Sequence, residues 1–208
     1  INDLPHYQPF SKDMIRLRDL AKRYMQAQKD LIRQKNRNRL CEDLFINRLN
    51  RRLSRLHRHI MEATYEEMVH LCDASDQLRG ICELICRQKG IGLKTALLLM
   101  AFLPELGQIN GKKIASLAGL APYAHDSGRI KGKRYIQGGR FNARKVLYMP
   151  VLVAIRHDAD FKRIYEDRLS KGKAPKVAIT SLMRKMLVRI NARVRDHIRD
   201  QSIPQLID

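Results

Sequence analysis

A mainly α-helical protein is predicted, with a long antiparallel coiled-coil hairpin followed by a small helical domain. That domain carries a helix-hairpin-helix, an irregular basic loop and room for a short β-hairpin. Three observations predict it. Between Ser11 and Leu71 there is no proline or glycine. Within that stretch apolar or small residues recur at alternating intervals of three and four, the spacing of a heptad seam. From Gly80 onward, glycine and proline cut the chain into short pieces, most of them with helical periodicity.

Residues 1–10 contain Pro5 and Pro9 and read as an extended lead-in. Ser11 can cap a helix with Asp13 and Met14 in its first turn. The first seam is Leu17, Leu20, Tyr24, Ala27 and Leu31, and it turns polar at Gln34 and Asn38, with the charged run Lys35–Arg39. A second seam follows at Leu49, Leu53, Leu56, Ile60 and Ala63. Two helices folded back on each other over residues 11–79 explain both seams. One continuous rod, or a plain helical bundle, fits the same spacing. The apolar stripe is narrow and calls for a partner helix, in the same chain or in a second subunit. A domain boundary is placed near Gly80, so that residues 80–208 form the second domain. Helices are expected at 81–88, 93–103, 112–119, 142–156, 160–170 and 176–199, with short strands around Arg129-Ile130 and Arg134-Tyr135-Ile136.

The chain has 208 residues, 44% hydrophobic and 30% charged, enough to pack a core and too apolar for wholesale disorder. Its formal net charge is +20. A compact body with that excess repels itself, and a polyanionic partner is the usual compensation. Nucleic acid is the first candidate and an anionic membrane surface the second. No apolar run approaches the roughly 20 residues a membrane-spanning helix needs. The N-terminus has neither a secretory signal nor an initiator methionine, which reads as a fragment or a processed chain. The four cysteines, Cys41, Cys72, Cys82 and Cys86, form no CxxC pair and have no nearby histidine. They read as reduced thiols of a cytoplasmic protein rather than as a zinc set.

Two constellations carry chemistry. The first is the run from Lys89 to Ala96, with Gly90 and Gly92 between two helices. Its glycines permit a turn with outward-facing N–H groups, and the following helix presents its positive end to a phosphate. Lys89 and Lys94 flank the turn. A glycine-turned hairpin that only packs is the plainer reading. The second is Ser127 to Lys145, which has no acidic side chain but holds Arg129, Lys131, Lys133, Arg134, Arg140, Arg144 and Lys145. Gly128, Gly132, Gly138 and Gly139 let backbone approach a strand, and Tyr135 and Phe141 offer stacking faces or core anchors. Ser127 beside these cations could attack a phosphodiester, although Asp-Ser-Gly is also ordinary turn chemistry. Glu83, Glu105, Asp158, Asp160, His57 and His59 do not assemble a metal site by spacing, so no metal residues are assigned.

The ordered series Gly90-Ile91-Gly92 with Thr95-Ala96, Leu103 to Gly107, Leu117 to Pro122, Asp126-Ser127-Gly128, Gly132-Lys133-Arg134, Gly138-Gly139-Arg140 and Leu147-Tyr148-Met149 resembles the C-terminal domain of DEDD-type insertion-sequence transposases. These are relatives of the Piv-type DNA invertases, and some are guided by a bridge RNA. The likeness is close over about residues 80–200 and looser in the coiled-coil region. It implies a bacterial cytoplasmic protein acting at the nucleoid, with DNA and a guide RNA as partners. It implies that Ser127 forms a covalent phosphoserine link to DNA, that Arg134, Arg140 and Arg144 contact phosphates or RNA, and that the coiled coil assembles a homo-oligomer. Family members also carry an RNase H-like domain with four acidic residues, where Mg2+ would bind. That domain is missing from this sequence, so these residues are expected to carry no cofactor and to bind nucleic acid without recombining DNA alone.

Overall fold

A computed structural model describes residues 11–123 and 135–202. Among the described residues there are eight α-helices and one two-stranded antiparallel pair, the mainly α fold expected. They divide into two compact units, the first ending at Ala74 and the second beginning at Ser75.

The first unit is a helical hairpin of α1 (Lys12–Arg39) and α2 (Leu44–Asp73). Ser11 caps α1 by accepting from the Met14 N–H at 3.2 Å, and Asp43 caps α2 by accepting from the Ile46 N–H at 2.8 Å. The polar run ending at Arg39 is the last turn of α1, where cations oppose the negative end of the helix dipole. Asn47 closes the turn by donating to the Cys41 carbonyl at 2.7 Å. The helices run antiparallel: Arg16 pairs with Glu67 at the open end and Gln34 with Asn50 near the turn.

The first seam is as expected, with Leu17, Tyr24, Ala27 and Leu31 buried and joined by Ala21 and Met25. The second seam is not. Leu49, Leu53 and Leu56 are 41%, 45% and 52% exposed, and α2 instead buries Ser54, Met68, Leu71 and Cys72. The polar end of α1 explains the rotation. Gln34 is 5% exposed and must be hydrogen-bonded, so Asn50 turns toward it. Ser54 lies one helical turn beyond the half-buried Asn50, on the same face, and is buried. Leu53, one residue or about 100° away, faces out.

The second unit is built around α8 (Pro175–Ser202), which packs against α3 (Asp76–Cys86), α5 (Gly111–Leu117), α6 (Phe141–His157) and α7 (Ala159–Ser170). The most apolar helix, α4 (Leu93–Phe102), is buried from Ala96 through Phe102 between α3 and α6. It stops before Pro104, as the restriction on the residue preceding proline requires. The division falls between Ala74 and Ser75, a few residues before Gly80, which lies inside α3; that helix starts at Asp76 because Ser75 caps it by accepting from the Leu78 N–H. On α8, Asn191 is 2% exposed; it accepts from the Gly107 N–H at 2.9 Å and donates to the Ile109 carbonyl at 2.8 Å. That side chain pins the loop between α4 and α5. The strands are β1 (Pro122–Tyr123) and β2 (Tyr135–Ile136), with Tyr123 opposite Tyr135. The strand expected around Arg129-Ile130 lies outside the described residues.

Candidate nucleic-acid interface

The turn between α3 and α4 puts its two glycines to different uses. Gly90 has φ +91°, and a Cβ there would collide with the Pro150 carbonyl oxygen and crowd the Ala154 nitrogen of α6. Its missing side chain therefore serves packing. Gly92 meets nothing within 4 Å and precedes α4 without a side-chain cap. The first-turn N–H groups of α4 thus receive no side-chain acceptor from Gly92, and Lys89 and Lys94 stand exposed beside them. Gln88 anchors the turn from inside, 3% exposed, its carbonyl accepting from the Ile91 N–H at 3.0 Å.

The β1–β2 hairpin rests on a base of arginines and glycines. Arg140 forks onto Glu105, Nη1 to Oε2 at 2.5 Å and Nη2 to Oε1 at 2.6 Å, and Nη1 also donates to the Phe102 carbonyl at 2.9 Å. Its backbone N–H donates to the Leu117 carbonyl at 2.6 Å. Arg144 Nη1 donates to the carbonyls of Gly119 at 2.9 Å and Gly138 at 3.1 Å, with the guanidinium 5.7 Å from the Phe141 ring centroid. Gly119 and Gly139 touch backbone to backbone at φ +66° and +67°, and a Cβ on Gly139 would overlap Gly119. The guanidiniums of Arg140 and Arg144 are thus engaged within the fold: Arg140 on Glu105 and Phe102, and Arg144 between Gly119 before β1 and Gly138 after β2. Lys145 is exposed. Ser127, Arg129, Lys131, Lys133 and Arg134 lie outside the described residues.

Sequence spacing did not reveal two features. Glu105, which spacing assigns to no metal site, is the counter-ion of Arg140, 35 residues away. Asp160 ties α7 to α8 through Arg189 at 2.5 Å and Lys185 at 3.4 Å, and also binds Arg163 at 3.1 Å. The hydrogen bond from Arg189 is the main reason its carboxyl is lowered to about 2, with burial opposing and Arg163 and Lys185 adding. No group of histidine, cysteine and carboxylate side chains able to hold a metal occurs among the described residues. No described helix is long and apolar enough to cross a membrane.

Residues 82–166, which contain the Gly90–Gly92 turn and the whole β1–β2 hairpin, match the model of the transposase IS116/IS110/IS902 family. Among individual proteins the chain is similar to the pilin gene-inverting proteins of Moraxella lacunata and Moraxella bovis, at 27% identity over 93% of the chain and 61% of each relative. It is also similar to the insertion element IS900 uncharacterized 42 kDa protein of Mycobacterium paratuberculosis, at 36% identity over 41% of the chain and 22% of that protein. The chain spans about three fifths of the length of the pilin gene-inverting relatives.

Proposed function

We propose that this chain is the nucleic-acid-binding part of a DNA transposase or DNA-inverting recombinase and supplies its serine nucleophile, Ser127. The observation that carries the reading is the family match, because it spans both basic features found independently from charge and glycine pattern. In this reading Lys89, Lys94 and the N-terminal end of α4 at Gly92 hold phosphates without reading sequence. Arg129, Lys131, Lys133 and Arg134, between β1 and β2 in the sequence, and Lys145 on α6 add cations, while Arg140 and Arg144 position the base of the hairpin. Ser127 Oγ attacks a DNA phosphorus, forming a serine phosphodiester and releasing one bridging oxygen of the cut strand, with the hydroxyl proton passing to a base. The nearby cations stabilise charge on the phosphoryl oxygens.

A carboxylate domain holding Mg2+ belongs to the same proposal and lies outside this sequence. So does a guide RNA as a second polyanionic partner in the bacterial cytoplasm. The outward stripe of Phe45, Leu49, Leu53 and Leu56 on α2 supports a homo-oligomer, since it has heptad spacing and is exposed. Replacing Leu53 and Leu56 with Glu is expected to lower the oligomeric state in sedimentation; an unchanged state removes α2 from the interface.

A non-catalytic helix-hairpin-helix module is the second reading, favoured by the α3–Gly90–Gly92–α4 geometry. Trapping of labelled DNA by the intact protein decides between them. A covalent protein–DNA adduct that disappears in Ser127→Ala supports the nucleophile. An adduct that persists in Ser127→Ala, or none in the parent, leaves the binding module.

A further inference from the structure

We propose that the groove between the β1–β2 hairpin and α8 takes one unstacked base of a single-stranded nucleic acid, with the neighbouring phosphates on Arg168, Lys176 and Arg184. The groove encloses about 730 Å³, within the range of sites that hold a small organic group. Its apolar lining is Leu120, Pro122, Ile136 and Val177, and Tyr135 presents an aromatic ring that is 57% exposed. A base has two flat faces and suits an aromatic wall with an aliphatic floor. The rim supplies what the backbone needs. Arg168, Lys176 and Arg184 line the groove, and among the described residues that line it there is no carboxylate. Among the described residues, no acidic side chain lies within ion-pair distance of Lys176 or Arg184, so both charges remain available to an anion.

Two further details favour a nucleotide over a simple apolar ligand. Thr180 and Ser181 line the groove and donate their hydroxyl protons to the carbonyls of Lys176 and Ala178, both at 2.8 Å. Their oxygen lone pairs stay available to accept from the N–H edge of a base. A second groove, about 650 Å³, adjoins along α8 and shares Ser181 and Arg184 while adding Lys112 and Lys185. Val177, Ser181, Arg184 and Val188 recur at four, three and four residues, so one stripe of α8 runs through both grooves. The path is cationic and continuous, the form of a track for several phosphates with one base seated at Tyr135. A duplex hides its base faces by stacking and gains nothing from that ring, so the groove selects single strands.

This assignment rests on the nucleic-acid reading, and its test separates the two. Binding of the full chain to a single-stranded oligonucleotide carrying 2-aminopurine, and to the matching duplex, is measured for the parent, Tyr135→Ala, Tyr135→Phe and Arg184→Ala. Tyr135→Ala is expected to weaken single-strand binding by about fivefold to a hundredfold and to change duplex binding less than about twofold. Tyr135→Phe keeps the ring and should bind like the parent. Arg184→Ala is expected to flatten the single-strand salt slope by about 0.7. Parent-like single-strand affinity in both Tyr135→Ala and Arg184→Ala overturns the groove while the broader reading stands. So does a Tyr135→Ala chain that loses thermal stability but no affinity, because the ring then serves a segment of this chain. A parent that binds neither oligonucleotide overturns both.

Discussion

Arg140 distinguishes most sharply between an arginine that holds the fold and one that holds a phosphate. Its guanidinium makes two charge-assisted bonds to Glu105 and one to the Phe102 carbonyl, and the two side chains are 38% and 20% exposed. A fully buried pair costs about 3–5 kcal/mol to break and an exposed one about 0–1. Partial exposure and the bidentate fork place Arg140→Met between them, at about 2–3 kcal/mol. At about 4 °C per kcal/mol for a unit of this size, its melting temperature should fall by about 10 °C. Scanning calorimetry reads this, and a double-mutant cycle with Glu105→Gln isolates the coupling, expected near 1–2 kcal/mol. The duplex salt slope should be that of the parent wherever the variant is folded. A variant with parental stability, no coupling to Glu105 and a shallower salt slope would refute the reasoning and return Arg140 to the phosphate-contacting role that the resemblance implies.

The two glycines of the α3–α4 turn should respond in opposite ways. Gly90→Ala, at φ +91° against the Pro150 carbonyl, is expected to cost at least about 2 kcal/mol in denaturant melts, whereas Gly92→Ala should stay within about 0.5 kcal/mol. Ser54→Ala removes a buried hydroxyl that has no partner and should stabilise the hairpin by about 1 kcal/mol, read as a higher urea midpoint. Asp160 predicts a pH dependence. Its folded carboxyl is lowered from 3.8 to about 2, so its contribution is fully present above about pH 5 and is lost as pH falls through 2. The stability gap between the parent and Asp160→Asn should therefore close between pH 5 and pH 2; a constant gap would remove Asp160 from the α7–α8 junction.

The helices of the second unit were legible because their apolar periods and their punctuation agree. Leu93 to Phe102 ends at Pro104, and Lys171 to Pro175 separates α7 from α8. The first unit shows the limit of the same signal. Heptad spacing at Leu49, Leu53 and Leu56 says that one face of α2 is apolar, but not which neighbour covers it. The Gln34–Asn50 hydrogen bond settles that rotation, and pairings of buried polar groups have no period to read. The turn at Gly90 was visible as glycine spacing, yet its contact with Pro150 joins residues 60 apart. The same separation hid the pairing of Arg140 with Glu105, so a basic stretch that looked uniformly available contains two arginines engaged in the fold. On α8, the stripe through Val177, Ser181 and Arg184 was present in the sequence, but only the adjoining hairpin turns it into a groove.

The central claim is that the positive charge of this chain meets nucleic-acid phosphates through the Gly92 turn and the hairpin. Its most direct test is the affinity of the chain for a short DNA duplex, measured from about 50 to 300 mM salt. The account predicts that the logarithm of the binding constant falls linearly with the logarithm of salt concentration. The slope should be at least about −3, at about −0.9 per phosphate contacted. Paired replacement of Lys89 and Lys94 by Ala should reduce the slope by about 2. Undetectable binding at the lowest salt, or an affinity indifferent to salt, would contradict it.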